Sequence, residues 1–554
     1  MNIKDNYFQN PILQGFYPDP SICRVNDDYY LVNSSFAFFP GVPIFHSKDL
    51  VNWNQIGHVL DRPSQLDLDG SGYSGGIFAP TIRYNNGIFY VITTNMTTGG
   101  NFIVTATNPQ GPWSDPYWIE NAQGIDPSLF FDDDGKVYYT GTRHKPKDIS
   151  KYFGDHEIWI QELCLESMTL VGESYGVWDG ALKKSMFPEG PHLYKMNGYY
   201  YLMIAEGGTD HYHSITIARS KEIFGEYEAN PANPILTHRH LGSKYSIANV
   251  GHGDLIETQN KEWYMVLLGS RVFNGRKNLA RETFLAPVEW ENDWPIVSPG
   301  TGKVEFSYPY PNLPKSEISK NNLRDDFEKE TLDYCWNFIR TPRENFFNLT
   351  ERKSFLRLKL GKKSMIDQLK LPSFEWSKLN LNKEFTNDSP SFVGRRVQHK
   401  DFDVITKMEF IPNTENENAG IAVVQNDNHQ FRLESSIENG EHIIRLIVCT
   451  SKTQMNFMQK TFTYENFENI MESTQFNSKT IYLKVSVRDN KYSFYYGEQE
   501  KNLNLLVENL SANFLCSEIA GGFVGAYIGM FASSNGIEST NYADFDWFEY
   551  IPKV

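Results

Sequence analysis

A strand–turn–strand pattern recurs five times in the first half of this 554-residue chain, and it limits the architecture more than any other feature. The clearest copies are "DPSICRVNDDYYLVNSS" (19–35), "APTIRYNNGIFYVITTN" (79–95), "DPSLFFDDDGKVYYTGT" (126–142) and "GPHLYKMNGYYYLMIAE" (190–206). A diverged fifth is "GDLIETQNKEWYMVLLG" (253–269). In each, an apolar run, a turn of Asn, Asp or Gly, and a second run rich in Tyr and Val read as a β-hairpin. The starts lie 60, 47, 64 and 63 residues apart, so every unit has room for further strands. Segments 46–57, 105–116 and 218–229 read as turns in those outer strands. All-β repetition at this period, without helical periodicity, predicts a five-bladed β-propeller over residues 1–306.

Equivalent positions of propeller blades face one axis, so they converge although far apart in sequence. Asp19 and Asp126 hold the same repeat position; Glu189 stands one residue earlier in the fourth copy, and His252 takes the place in the fifth. Pro18 and Pro20 flank Asp19, and proline disposes the residue before it toward extended geometry. A lone Asp between prolines is an ordinary turn former. Three carboxylates gathered at one enclosed mouth are not, because repulsion and desolvation oppose the arrangement. Two carboxylates across a pocket suit glycoside hydrolysis, one giving a proton to the leaving oxygen and the other acting at the anomeric side. A third anion nearby raises the pKa of the donor.

Composition is compatible with a neutral substrate. The formal net charge is −16 and no Lys/Arg-rich run occurs, which argues against nucleic acid and anionic membrane as partners. Aromatic residues make up 14% of the chain, which fits both β-structure and sugar-stacking surfaces. The N-terminus has no apolar signal-peptide core and no later stretch has the length of a membrane span, so a cytoplasmic protein is expected. Five scattered cysteines without a CxxC pair indicate neither a disulfide framework nor a zinc site.

The motifs "YPDPSI", "SGGIFAPTIRY", "GIDPSLFFDDDGKVY", "FPEGPHLY", "GHGDL" and "RETFLAPVEW" occur in order and on separate repeats. In these the chain resembles glycoside hydrolase family 43, in particular its two-domain β-xylosidase branch, essentially end to end. The resemblance implies Asp19 as general base, Glu189 as general acid, and Asp126 as the residue that tunes the donor and positions substrate. It implies Arg281 as a ligand of sugar hydroxyls, although an arginine near a strand end is more often a surface group. His252 resembles a histidine below the sugar that in some relatives faces a calcium ion through water; its alternative is a core histidine shaping the pocket floor. Phe78 stands where the family leads one to expect tryptophan, a stacking platform with a smaller face, and Phe36 is a wall residue or blade core.

After residue 306 the propeller pattern fades into a proline-bearing stretch, 307–323, that reads as a linker. In 480–497, Ile481, Leu483, Val485 and Val487 alternate with Tyr482, Lys484, Ser486 and Arg488, the half-buried pattern of a β-sandwich over 324–554. Such a domain serves either as a separate carbohydrate-binding module or, as the resemblance implies, as the source of a loop closing the pocket. Residues 519–534 are the expected loop and Phe523 its inserted aromatic.

The expected activity is exo-acting, inverting release of xylose from the non-reducing ends of β-1,4-xylo-oligosaccharides. The alternatives are an α-L-arabinofuranosidase or bifunctional enzyme on the same scaffold and, in a different class, a non-catalytic sugar-binding propeller. No metal or other cofactor is required by this chemistry, and a structural calcium near His252 is the one ion the resemblance allows. The expected partners are small xylo-oligosaccharides and further copies of the chain, as a homo-oligomer.

Overall fold

The computed structural model describes residues 6–317, 323–366, 389–456 and 461–553. Within 21–297 the strands form five successive antiparallel sheets, four of them of four strands each. The first sheet runs Ser21–Val25, Asp28–Val32, Gly41–Ser47 and Asn54–Leu60, and the second from Thr81–Asn85 to Tyr117–Trp118. The third spans Ser128–Phe131 to Thr169–Trp178, the fourth Glu189–Met196 to Glu228–Ala229, and the fifth Ile247–Glu257 to Trp294–Val297. The fourth gains a fifth strand, Leu236–Thr237, paired with Ser214–Ser220.

Each repeat forms the hairpin at the head of its sheet. Asn85 pairs with Ile88 and Met196 with Tyr199 across two-residue loops, Asn86–Gly87 and Asn197–Gly198. All four loop residues have positive φ (48°, 84°, 52° and 74°), as the tightest antiparallel turns demand and as Asn-Gly best tolerates.

The leading strands of four sheets meet at one buried ionic cluster. Asp254, fully buried on the fifth sheet, receives Arg83 of the second at 2.9 and 3.3 Å. The Tyr194 hydroxyl of the fourth and the Ser21 hydroxyl of the first donate to it at 2.7 Å each. Ile22 N–H adds a bond at 3.1 Å, and Arg83 reaches His192 Nδ1 at 3.0 Å. Burial alone would raise the Asp254 pKa, but Arg83, His192 and the Tyr194 hydroxyl hold it well below the usual carboxylate range.

Ser307–Pro309 pairs with Tyr7–Gln9, so the stretch read as linker opens with a strand that joins the two ends of the five-sheet unit. Beyond it lie two larger antiparallel sheets, one of eight strands and one of six. Strand Tyr542–Pro552 sits inside the eight-stranded sheet, between Leu356–Lys359 and Phe402–Glu409. The predicted alternation holds in Thr480–Arg488, where Ile481, Leu483, Val485 and Val487 are buried and their neighbours are not. The expectation for 519–534 is corrected: Ser517–Ala520 is one helical turn, and Tyr527–Ser533 is a buried strand, its apolar side chains packed in the core, so only the stretch between them is loop.

The two halves share one apolar core, in which Ile44, Val59 and Val91 cluster with Leu358, Val404, Ile421 and Phe545. Phe338–Ile339 pairs directly with Phe38–Phe39. Arg343 reaches Asp67 and Asp69 at 2.8 and 3.3 Å, and Arg396 Nε donates to the Phe16 carbonyl at 2.8 Å. This last bond fixes the backbone three residues before Asp19 from the C-terminal side.

Removing Asp254 leaves Arg83 buried without its counter-charge. Asp254→Asn is expected to cost about 3–5 kcal/mol of folding stability, measured by denaturant or thermal unfolding. Because the folded-state pKa is depressed, this contribution is present above the unfolded value of about 3.9 and fades as pH falls through the lower folded one. The gap between wild type and variant should therefore be flat from pH 8 to 5 and close in stronger acid.

Candidate active site

The side chains at the heads of the leading strands are turned by backbone in the left-handed region. Asp19, Asp126, Gly190 and His252 have φ of 51°, 54°, 58° and 48°. This corrects the extended geometry expected for Asp19 from its flanking prolines. Three non-glycine residues in that sparsely populated region at one place mark a strained site, about 1–3 kcal/mol each. The surroundings over-determine Asp19: Asn33 Nδ2 donates to the Pro18 carbonyl at 2.8 Å and Thr283 Oγ1 to that of Tyr17 at 2.7 Å.

Asp19 is buried, accepts a hydrogen bond from Ser34 Oγ, and forms an ion pair with Arg281 Nη1 at 2.9 Å. Asp126 and Glu189 face the same cavity. Burial pushes the Glu189 pKa up to about 8, and the Asp19 charge adds to the rise while Arg281 opposes it. Asp126 is raised well above the usual range by burial, then by Glu189 and Asp19, against Arg281 and the Gly190 N–H. Asp126 and Glu189 titrate as a pair. The Gly190 N–H favours ionised Asp126 against the burial that raises both groups.

Arg281 is not a solvated surface group. It is 9% exposed, and besides Asp19 it donates to Thr209 Oγ1 at 3.1 Å and to the Phe523 carbonyl at 3.3 Å. Phe36, Phe78 and Phe523 form a triangle with ring centroids 5.2, 6.3 and 6.4 Å apart, and the Arg281 guanidinium lies 5.5 Å from the Phe36 ring. Phe36 thus serves as both core and wall: it is 2% exposed and still lines the cavity. Phe523 reaches the site from the C-terminal half, its N–H bonded to Ser74 Oγ at 2.8 Å. A Cβ on Gly522 would fall 2.3 Å from that oxygen, and Gly522 has φ +79°, so only glycine permits this approach.

His252 is buried at the cavity floor, against Gly190, where an added Cβ would lie 2.8 Å from the imidazole. Burial lowers its pKa, Asp19 raises it and Arg281 lowers it further. Among the described residues no group of three or more His, Cys, Asp or Glu side chains is arranged to hold a metal ion. A neutral imidazole within the field of a guanidinium is also a poor donor set for a hard cation such as calcium. The residues present do not fit direct coordination there.

The cavity, of about 640 Å³, brings together all eight residues singled out from the sequence. It also includes Thr209, His213, His144, His156, Phe153 and Phe187, which sequence reasoning missed. Phe187 had a signal: it precedes Pro188 in the motif that carries Glu189, and its φ is 54°. Thr209 and Phe153 sit on loops outside the repeated pattern and had none.

Residues 8–295 match the family described as glycosyl hydrolases family 43, and residues 324–551 match its companion, the beta xylosidase C-terminal Concanavalin A-like domain. A xylosidase/arabinosidase of Butyrivibrio fibrisolvens is 45% identical over 97% of this chain and 98% of its own. A non-reducing end α-L-arabinofuranosidase of Bacteroides ovatus is 39% identical over 99% and 96%. The crystal structure of a xylan β-1,4-xylosidase from Bacillus halodurans superposes with a TM-score of 0.86 at 33% identity, covering 98% of this chain and 100% of that one. With both halves matched and relatives alike from end to end, this chain belongs to glycosyl hydrolase family 43 and is a glycosidase.

Proposed function

We propose that the enzyme removes single xylose units from the non-reducing ends of short β-1,4-xylo-oligosaccharides with inversion at the anomeric carbon. The observation that carries this reading is a cavity holding an Arg-paired carboxylate, Asp19, and a proton-retaining one, Glu189, closed on one side by Phe523. In this reading the five sheets are the blades of a propeller over 1–306, residues 307–323 link it to a sandwich over 324–554, and the leading strands line the axis. Closure by Phe523 favours chain ends over internal bonds. A second reading, additional α-L-arabinofuranosidase activity, is supported by the names of the Butyrivibrio and Bacteroides relatives.

In the mechanism, the terminal xylose lies against Phe36 and Phe78, with Arg281 and Thr209 at its hydroxyls. Asp19 takes a proton from a water beneath the anomeric carbon as that water attacks; Glu189 gives its proton to the departing oxygen. One C–O bond forms, one breaks, and the protons move from water to Asp19 and from Glu189 to the leaving sugar. Asp126, which titrates together with Glu189, tunes the donor and positions the substrate through a sugar hydroxyl. No step requires a metal. Among the described residues no helix is long and apolar enough to cross a membrane. The partners in this reading are small xylo-oligosaccharides and further copies of the chain.

Glu189→Ala should lower kcat/KM on xylobiose by about 10²–10⁴, the usual span of a general acid, and lower it far less on an aryl xyloside with an acidic phenol. Asp19→Ala should damage both substrates alike. In the wild type the alkaline limb on xylobiose should fall near pH 8, following Glu189. Equal losses across leaving groups in Glu189→Ala would remove Glu189 from the role of acid.

Proton NMR of the first minutes of hydrolysis of a β-xyloside should show α-xylose before mutarotation, since an inverting pair stands roughly 6.5–9.5 Å apart with water between. An initial β-anomer would make Asp19 a nucleophile instead.

The raised Glu189 pKa also has a consequence for folding. The folded state binds this proton more tightly than the unfolded one, so wild-type stability declines as pH rises from about 4.5 toward 8. Glu189→Gln, neutral throughout, should melt at a temperature that exceeds the wild type's by a margin growing across that interval. A margin that does not change with pH contradicts the burial argument.

A further inference from the structure

One buried acid has no part in the mechanism. Glu206, at the end of strand Tyr199–Glu206, is 1% exposed, and among the described residues no lysine, arginine or histidine pairs with it. Hydrogen bonds satisfy its oxygens instead. Oε1 accepts from the Ala181 N–H at 2.7 Å and from Thr216 Oγ1 at 2.5 Å, and Oε2 accepts from the Leu182 N–H at 3.2 Å. Burial raises its pKa, while these bonds and the Ser185 hydroxyl oppose the rise. An acid kept in the interior without a counter-charge is costly, and apolar side chains of similar volume fill such a place without that cost.

The bonds of Glu206 converge on the stretch that delivers Glu189. Residues 179–188 run from Thr169–Trp178, the outer strand of the third sheet, to Glu189–Met196, the leading strand of the fourth. Within 179–188 only Pro188 is buried, so the stretch has almost no apolar core of its own and polar contacts set its course. Glu206 grips it near its start, where Gly180 has φ +96° and an added Cβ would lie 2.7 Å from the Glu206 carboxyl carbon. Further along, the Gly207 N–H donates to the Met186 carbonyl at 2.8 Å and Thr142 Oγ1 to that of Pro188 at 2.7 Å. On the other side Glu189 has little support from its sheet: it pairs with Ala205, next to Glu206, but the register breaks between Glu189 and His192. The direction of Glu189 therefore depends on the stretch before it.

We propose that Glu206 is a positioning residue for the proton donor: by holding the Ala181 and Leu182 amides it fixes the path of 180–188, and with it the place of the Glu189 carboxyl at the bond to be cut. Glu206 does not line the cavity and acts through that stretch alone. The inference rests on the reading above, in which Glu189 is the acid. A donor displaced by about 1 Å can cost a hundredfold in rate, and it does so only where the leaving group requires its proton.

Glu206→Gln keeps the shape of the side chain and turns one acceptor into a donor that faces another donor. On xylobiose kcat should fall about ten- to hundredfold while KM changes by less than about threefold. On an aryl xyloside with an acidic phenol kcat should fall by no more than about threefold. Gly180→Ala, which pushes the same stretch off the carboxylate and leaves Glu206 in place, should show the same selectivity, and it serves as the test if Glu206→Gln does not fold. A merely structural defect lowers both substrates alike, so equal losses, or no loss on xylobiose, overturn the assignment. In Glu189→Ala the donor is already gone, and adding either change should lower activity on xylobiose by less than about a further twofold. If Glu189→Ala is itself indifferent to the leaving group, the acid assignment fails separately and the double variants decide: no further loss supports Glu206 as the residue that places Glu189, and multiplied losses overturn it.

Discussion

The ion pair between Arg83 and Asp254 is the contact on which the site's geometry rests. It lies beneath the cavity and gathers the leading strands of four sheets through Ser21, Arg83, Tyr194 and Asp254. A fully buried carboxylate is costly in isolation, but this one is saturated by an arginine, two hydroxyls and a backbone N–H, so its charge is worth more as a fastener than it loses in desolvation. Ser21 and Ile22 follow Asp19 by two and three residues, and Asp254 follows His252 by two, so the cluster sets the positions of two site residues almost directly.

Above that fastening the polypeptide accepts local strain to aim its side chains. Left-handed backbone at Asp19, Asp126 and His252 turns each side chain inward where a regular strand would not. The neighbours that hold them come from remote parts of the chain: Thr283 and Asn33 grip the carbonyls before Asp19, and Arg396 grips the one before those. The C-terminal sheets therefore act on the backbone leading to Asp19 as well as lining the cavity through Phe523.

Much of this was legible in the sequence because it repeats. The hairpins are written in alternating apolar residues and Asn-Gly turns, whose physics is local, and equivalence between repeats brought Asp19, Asp126, Glu189 and His252 to one place before any coordinates. What is not local was not legible. Proline statistics favoured an extended Asp19, and tertiary bonds overrode them. The boundary between loop and strand after Phe523 was hidden because "YIGMFAS" reads as glycine-interrupted, whereas its glycine sits where the neighbouring strand's backbone passes too close for a Cβ. The resemblance pointed to Arg281, but nothing in its own segment reveals that Asp19, 262 residues away, would be its partner.

Strand Tyr542–Pro552 lies inside its sheet, with earlier strands on both sides. During synthesis those neighbours emerge from the ribosome first and wait with open edges, and the strand between them is supplied last. The five-sheet unit has every strand of its own long before that moment, yet its pocket still lacks Phe523. Catalytic competence is thus a late event in the life of each molecule, and a partly made chain, however well folded at its front, has no complete site with which to act on sugar.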